Sequence, residues 1–329
     1  MNATLLKKLS FDRKLKASSI KNYQSVLNNM AKDFNRKFIT PNFINENIED
    51  ILNNYKNKSH SKQISALTVI LLVLSPKQKK NPSKRNKPIY DKVNAILIKK
   101  NNDYNETKQR QIKTPKEELN WIELDVIKTF IKDNEKRYIK IYKSMPSVDN
   151  YLNLQKFLIM RLYTDIPPRR LCYSDMIYRP LVDFEKLTSD ELKRNNYFAL
   201  PNSDRSKKKG IFFFGSDNTK SKDTTAGDGV KVEIPDGIMK LINLIRYNVM
   251  FDRYLLYNTK MQKLNKNSLS KLIQSIFMEF FNKKVGASML RKIYISDYFK
   301  NDIPLLERKR IAKIMNHSIG VSMAHYTKK

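Results

Sequence analysis

The chain has 329 residues, of which 40 % are hydrophobic, and its 64 Lys and Arg stand against 32 Asp and Glu for a formal net charge of +32. The apolar fraction excludes wholesale disorder, and the length allows one or two domains with a real core. A basic excess of this size points to a polyanionic partner, nucleic acid first; an AT-rich genome also enriches lysine but does not by itself halve the acidic count. The single cysteine, Cys172, excludes an internal disulfide and a cysteine-built zinc site, and three scattered histidines, His60, His317 and His325, suggest no metal cluster. Seven glycines, with neither phosphate-loop pattern, leave nucleotide-driven chemistry unsupported, so no cofactor is expected.

The N-terminus lacks the apolar stretch of a signal peptide. Residues 17–34 read as a helix: Ser18 or Ser19 fits the N-cap, and Ile20, Tyr23, Val26, Leu27, Met30 and Phe34 follow three-four spacing. Helical segments follow near 44–55 and 63–74. The second contains the longest apolar run, 64–74, which is far short of the ~20 residues of a membrane span. It is expected to be a buried core helix of an intracellular protein. Residues 76–88 hold three prolines with Lys77, Lys79, Lys80, Lys84, Arg85 and Lys87, which argues against a regular element. A solvated loop, a loop on a DNA backbone and a nuclear-import signal all remain open there. Residues 89–100 resume a helical pattern, and 101–113 are polar and aperiodic, as in a linker. The expected division is 1–113, a helical domain with a basic linker, and 114–329.

The second domain opens on Thr114-Pro115-Lys116-Glu117, a capping box with Pro at the first helical position. An apolar stripe of Leu119, Ile122, Val126, Ile127 and Phe130 follows. Short β-patterned runs lie at 197–200, 211–214 and 230–234. The aromatic run Phe212 to Phe214 fits a buried strand better than a base-stacking surface. Between the last two runs, residues 215–229 are polar and carry Lys220 and Lys222. Helical patterns return at 236–257, 268–281, 289–299 and 305–315. The expected fold is mainly α with a small antiparallel β-sheet, an α+β arrangement without internal repeats.

The sharpest pattern is C-terminal: Ser288-Met289-Leu290-Arg291, then Met315-Asn316-His317-Ser318, then Ala324-His325-Tyr326, with His317 nine positions before Tyr326. Upstream stand Leu162-Tyr163-Thr164-Asp165-Ile166-Pro167-Pro168-Arg169-Arg170, and Thr219-Lys220-Ser221 ahead of a strand ending in Ile234-Pro235. These resemble the tyrosine recombinase signature. In that family an H-x-x-R box precedes a G-H-S segment, and the nucleophilic Tyr lies nine residues after that His. The P-P-x-R form is that of integrases of large DNA viruses and related mobile elements. The T-K with its V-x-I-P-like strand looks like the family's hairpin lysine. The resemblance runs over nearly the whole chain, with the last 45 or so residues its most specific part.

Residue by residue, the resemblance implies that Arg170 and Arg291 clamp a phosphate. It makes Lys220 the hairpin lysine and general acid, His317 the second-box His and Tyr326 the nucleophile. It implies a core-binding domain at the N-terminus, double-stranded DNA as partner, and four protomers on two synapsed duplexes. It also implies a covalent 3′-phosphotyrosyl intermediate made without metal or ATP. The implied job is integration or excision of a viral or mobile-element genome, in a host nucleus or viral replication site and not at a membrane. Arg169 rivals Arg170, which the P-P-x-R form favours, and Lys222 rivals Lys220.

The chemistry needs these residue types. A phosphorane-like transition state carries extra negative charge, which guanidiniums meet with forked hydrogen bonds that lysine cannot match. Preorganised donors of this kind contribute a few kcal/mol each. A phenol with an ordinary pKa near 10 needs cations to attack at neutral pH. The covalent ester conserves the bond energy, and an acid must protonate the leaving 5′ oxygen.

Two departures stand out. Ser288 occupies the place of the box's first His and is a poor base. His325 is next to Tyr326, but helical neighbours point roughly 100° apart. Many members of that family carry a further helix after the Tyr that packs on a neighbouring protomer; none is expected here, so protomer coupling is expected to use other surfaces or to be weak. Competing readings are a type IB topoisomerase, which shares the five-residue site, and a DNA-binding relative that has lost activity. The helical pattern of residues 17–100 speaks against a poxvirus-like topoisomerase, and Ser288 favours the inactive relative. A metal-dependent transposase would need three positioned carboxylates, to which nothing points.

Overall fold

The computed structural model describes residues 17–75, 81–202, 208–216, 229–248, 253–300, 303–321 and 326–328. The chain divides into two compact units between Thr107 and Lys108. The first is helical: α1 (Ala17–Asp33), α2 (Pro41–Lys56), α3 (His60–Leu74) and α4 (Lys87–Gln109), which runs past the division. Thr40 starts α2 by accepting from the Phe43 N–H at 3.2 Å, with Pro41 at the first helical position. α3 is apolar on every side and buried from Ala66 to Leu74 except at Thr68, so it is the axis of this unit's core.

Two expectations change here. Lys87 and Pro88 begin a helix instead of closing a loop, because proline fits a first turn. The stretch taken as a linker is helical through Gln109; its Asn, Glu, Lys and Gln side chains face water, and most are adequate helix formers without an apolar stripe.

In the second unit the Thr114–Glu117 capping box is formed and opens α5 (Pro115–Asn120). The chain then breaks at Trp121 and restarts as α6 (Leu124–Ser144), so the expected stripe is split: Ile122 and Ile127 are buried while Leu119 and Val126 are exposed. α7 (Val148–Thr164) is the central helix, buried at Tyr151, Leu154 and throughout Phe157–Met160. A single turn of 3-10 helix (Cys172–Asp175) leads into β1 (Met176–Pro180). Then come α8 (Leu181–Phe184), α9 (Ser189–Arg194), β2 (Asn196–Leu200), β3 (Ile211–Phe214) and β4 (Val230–Glu233).

The sheet order is β1-β2-β3-β4. β2, β3 and β4 pair antiparallel, with Phe212 opposite both Phe198 and Val232, but β1 pairs with β2 in parallel, so the sheet is mixed and not purely antiparallel. Alternation sends Phe212 and Phe214 into the main core and Phe213 into a satellite core with Leu181, Phe184 and Tyr197. The Phe212–Phe214 run is therefore strand interior.

α10 (Asp236–Asn248), α11 (Lys266–Phe281), α12 (Ala287–Tyr298), α13 (Leu305–Ile314) and the short α14 (Ile319–Val321) follow. The helix expected through residue 257 does not continue that far, because Tyr254 and Tyr257 form β-bridges. The buried Gln155 amide takes both backbone groups of Tyr257, at 3.0 and 2.8 Å, that a helix would use. No described helix is long and apolar enough to cross a membrane. The described residues are mainly α with one small sheet.

Candidate active site

Asp165 caps α7, and Pro167 and Pro168 prevent another turn. The two arginines that follow take opposite environments. Arg169 is 2 % exposed; its Nε donates to the Ile314 carbonyl, and its guanidinium lies 4.2 Å from the Phe214 ring centroid. Arg170 is exposed, its carbonyl accepts from the Tyr163 hydroxyl, and its Nη2 donates to the Tyr326 hydroxyl at 3.4 Å.

α12 delivers Arg291, which is 1 % exposed. Its Nη1 donates to the Pro168 carbonyl at 2.8 Å and its Nη2 to the Met315 carbonyl at 3.0 Å. Its guanidinium carbon is 4.7 Å from the Tyr326 ring centroid. α13 ends in a reversal that presents His317. Asn316 adopts φ 57°, its N–H donates to Lys313 and the His317 N–H to Ala312, both at 3.1 Å, which is the Schellman arrangement. Asparagine tolerates left-handed backbone better than most residues, so it fits this turn.

The His317 ring stacks on Tyr326 with centroids 4.9 Å apart and planes at 18°. Its Nδ1 lies 3.2 Å from the Ser318 carbonyl. A carbonyl only accepts, so Nδ1 carries the proton and Nε2 is bare in the neutral ring.

Tyr326 is 6 % exposed. Burial pushes its phenol up, but the Arg291 charge and the Arg170 hydrogen bond outweigh burial and hold it below its ordinary value. Burial, followed by the Arg291 charge, lowers the His317 imidazole to about 4, so it is neutral at pH 7. Burial also lowers Arg169 and Arg291, with the Arg291 charge adding to the effect at Arg169 and the Arg170 charge adding to it at Arg291.

Among the described residues, Arg169 Nη1 and Nη2, Arg291 Nε and His317 Nε2 are buried without a hydrogen-bond partner. A buried group left unpaired costs about 1–3 kcal/mol. An oxyanion matches the cluster: it would pair with the guanidinium donors and favour the protonated imidazole, which turns Nε2 into one more donor. The arrangement can therefore bind a phosphodiester and set a polarised phenol beside it.

The structure thus brings Arg169, Arg170, Arg291, His317 and Tyr326 together. Ser288 is exposed in the first turn of α12 and has no hydrogen bond to Tyr326 among the described residues. Lys84, Arg85 and Lys87 are exposed in the first unit, and Lys87 pairs with Asp91 at 2.8 Å. Lys77, Lys79, Lys80, Lys220, Lys222 and His325 lie outside the described residues. No group of three or more His, Cys, Asp or Glu side chains suited to a metal occurs among the described residues.

Some supporting residues carry no motif. Arg161 donates from Nε and Nη2 to the two oxygens of Glu135 at 2.6 and 2.8 Å, and from Nη1 to Asp165 at 2.7 Å. This fixes the end of α7 from which the arginine pair departs. Only the four-residue Arg161–Asp165 spacing is a visible signal of it. Ser296 donates to the Tyr326 carbonyl at 3.3 Å and has no sequence signal at all.

No protein-family model matches the chain, and no curated protein matches it. Among solved structures it is similar to a crystal structure of XerA recombinase, at 15 % identity over 100 % of this chain and 94 % of that one, with a TM-score of 0.36.

Proposed function

We propose that this chain cuts and rejoins DNA as a tyrosine recombinase, with Tyr326 as nucleophile. The observation that carries the reading is a buried phenol that accepts from Arg170 at 3.4 Å, lies 4.7 Å from the Arg291 guanidinium and is held below its ordinary pKa by both. The phenol oxygen attacks the phosphorus and gives up its proton to water. The bond to the 5′ oxygen breaks, that oxygen takes up a proton to become a 5′-hydroxyl, and a 3′-phosphotyrosyl ester remains. Arg170 and Arg291 bind the nonbridging oxygens, with Arg169 behind them and His317 as a further donor once protonated. Lys220, with Lys222 as its rival, is assigned the leaving oxygen's proton. Attack by the reverse path reseals the strand without ATP.

The partner is double-stranded DNA, for which the +32 net charge provides attraction. Four protomers on two duplexes, acting on a viral or mobile-element genome in a nucleus or viral replication site, complete the proposal. The helical first unit favours a recombinase over a topoisomerase with a β-rich N-terminal domain.

A nicked duplex that traps covalent adducts tests the reading. The wild-type protein should form an adduct in EDTA, and Tyr326→Phe should form none while binding DNA as before. Salt-sensitive DNA binding without any wild-type adduct would leave the inactive relative as the answer.

A further inference from the structure

Two residues past Tyr326, Lys328 is buried, as a lysine seldom is unless it is paired. Its side chain is 1 % exposed, and its ammonium donates to the Ile112 carbonyl at 3.1 Å and lies 3.9 Å from Glu117 Oε2. Its main-chain N–H donates to Ser296 Oγ at 2.7 Å, and the same hydroxyl donates to the Tyr326 carbonyl at 3.3 Å. Glu117, 8 % exposed at its side chain, also pairs with Lys292 and accepts the Thr114 N–H of the capping box. Lys292 directly follows Arg291 on α12. One carboxylate therefore ties the helix that carries Arg291 to the segment that carries Tyr326, and one hydroxyl holds that segment from both sides of Thr327. Burial lowers the Lys328 ammonium below its ordinary value, so the seat holds a charge against its preference.

We propose that Glu117, Ser296 and Lys328 form a latch that seats Tyr326 against Arg291 and within reach of Arg170, with Lys328 as a positioning residue. Chemically, the latch makes the low phenol pKa a property of the docked segment: released, Tyr326 leaves the guanidiniums and titrates as an ordinary phenol. The role as a positioning device for strand attack rests on the proposed function; the seating itself does not.

The test uses the full chain with 3-fluorotyrosine at position 326, whose fluorine resonance reports phenol ionisation, alongside adduct formation on the nicked duplex from pH 6 to 10. Lys328→Met should move the phenol titration up toward free fluorotyrosine and slow adduct formation at neutral pH by about tenfold or more, with DNA affinity unchanged. Rising pH should recover part of that rate as phenolate returns, and Lys328→Arg should restore most of it. A merely structural lysine would lower the amount of active protein without shifting either pH profile. Should Lys328→Met fail to fold, Ser296→Ala provides the same readouts. An unshifted phenol titration overturns the latch, as does an unchanged adduct rate in an active protein. A shifted titration in a protein whose wild type forms no adduct keeps the seating and discards strand transfer.

Discussion

Two arginine clusters in the second unit are built on opposite electrostatics. Around Arg161 each of the three guanidinium nitrogens meets a carboxylate, Glu135 in forked geometry and Asp165 one turn away, and these hydrogen bonds raise its pKa. Around Tyr326, by contrast, Arg169 and Arg291 are more deeply buried, lean on backbone carbonyls and aromatic rings, and have lowered pKa values. The first cluster closes upon itself and holds the fold. The second is incomplete as protein alone, and incompleteness of one sign is what a binding site for the other sign looks like.

That contrast can be broken or sharpened. Arg161→Met strands two carboxylates with side chains 12 % and 18 % exposed, and should cost about 3–5 kcal/mol in a urea melt. Next is acid. His317 has a folded pKa of about 4 against an ordinary 6.5. The unfolded chain therefore binds the proton first, so stability is full above ~6.5, falls as pH drops from there to about 4, by about 3 kcal/mol in all, and levels off below. Denaturant melts of His317→Gln should lack this limb, leaving the one below ~4.5 that belongs to Glu117, whose carboxyl is held at about 2.

Third, orthovanadate or inorganic phosphate should stabilise the wild type by up to about 2.7 kcal/mol at a hundredfold excess over its dissociation constant, and Arg291→Met should abolish the response. The smallest effect is expected from Arg169→Met, within about 1 kcal/mol of wild type in either direction, since it removes a buried charge that no carboxylate meets. A loss as large as that of Arg161→Met would mean that the two clusters do the same work.

The strands β2 to β4 and most helices could be read from periodicity, since each presents one face or two to a core within a few turns of chain. β1 could not: it is five residues ending in Pro180, and its parallel partner is reached only across α8 and α9. α7 is so widely buried that its stripe loses contrast. The segment around Tyr257 looks helical until Gln155, 102 residues away, captures its backbone. At the site, the resemblance to the recombinase signature points to Arg170, Arg291, His317 and Tyr326 but cannot tell that Arg169 is the sealed arginine and Arg170 the open one. That depends on Tyr163 and Phe214, which pack against the pair from two other elements. Ser296 and Lys328 meet Tyr326 and Glu117 through folding alone.

The carbonyls of Ile314 and Met315, which receive Arg169 and Arg291, stand at the C-terminal end of α13, where aligned peptide dipoles concentrate partial negative charge. A helix end is a counterion that no proton can neutralise. Acid that would strip a carboxylate of its charge leaves this support untouched, so the two guanidiniums keep their aim over the whole range in which the protein stays folded. Whatever pH response the centre has must then arise from the imidazole, the phenol and the Glu117–Lys328 seat that holds the tyrosine segment.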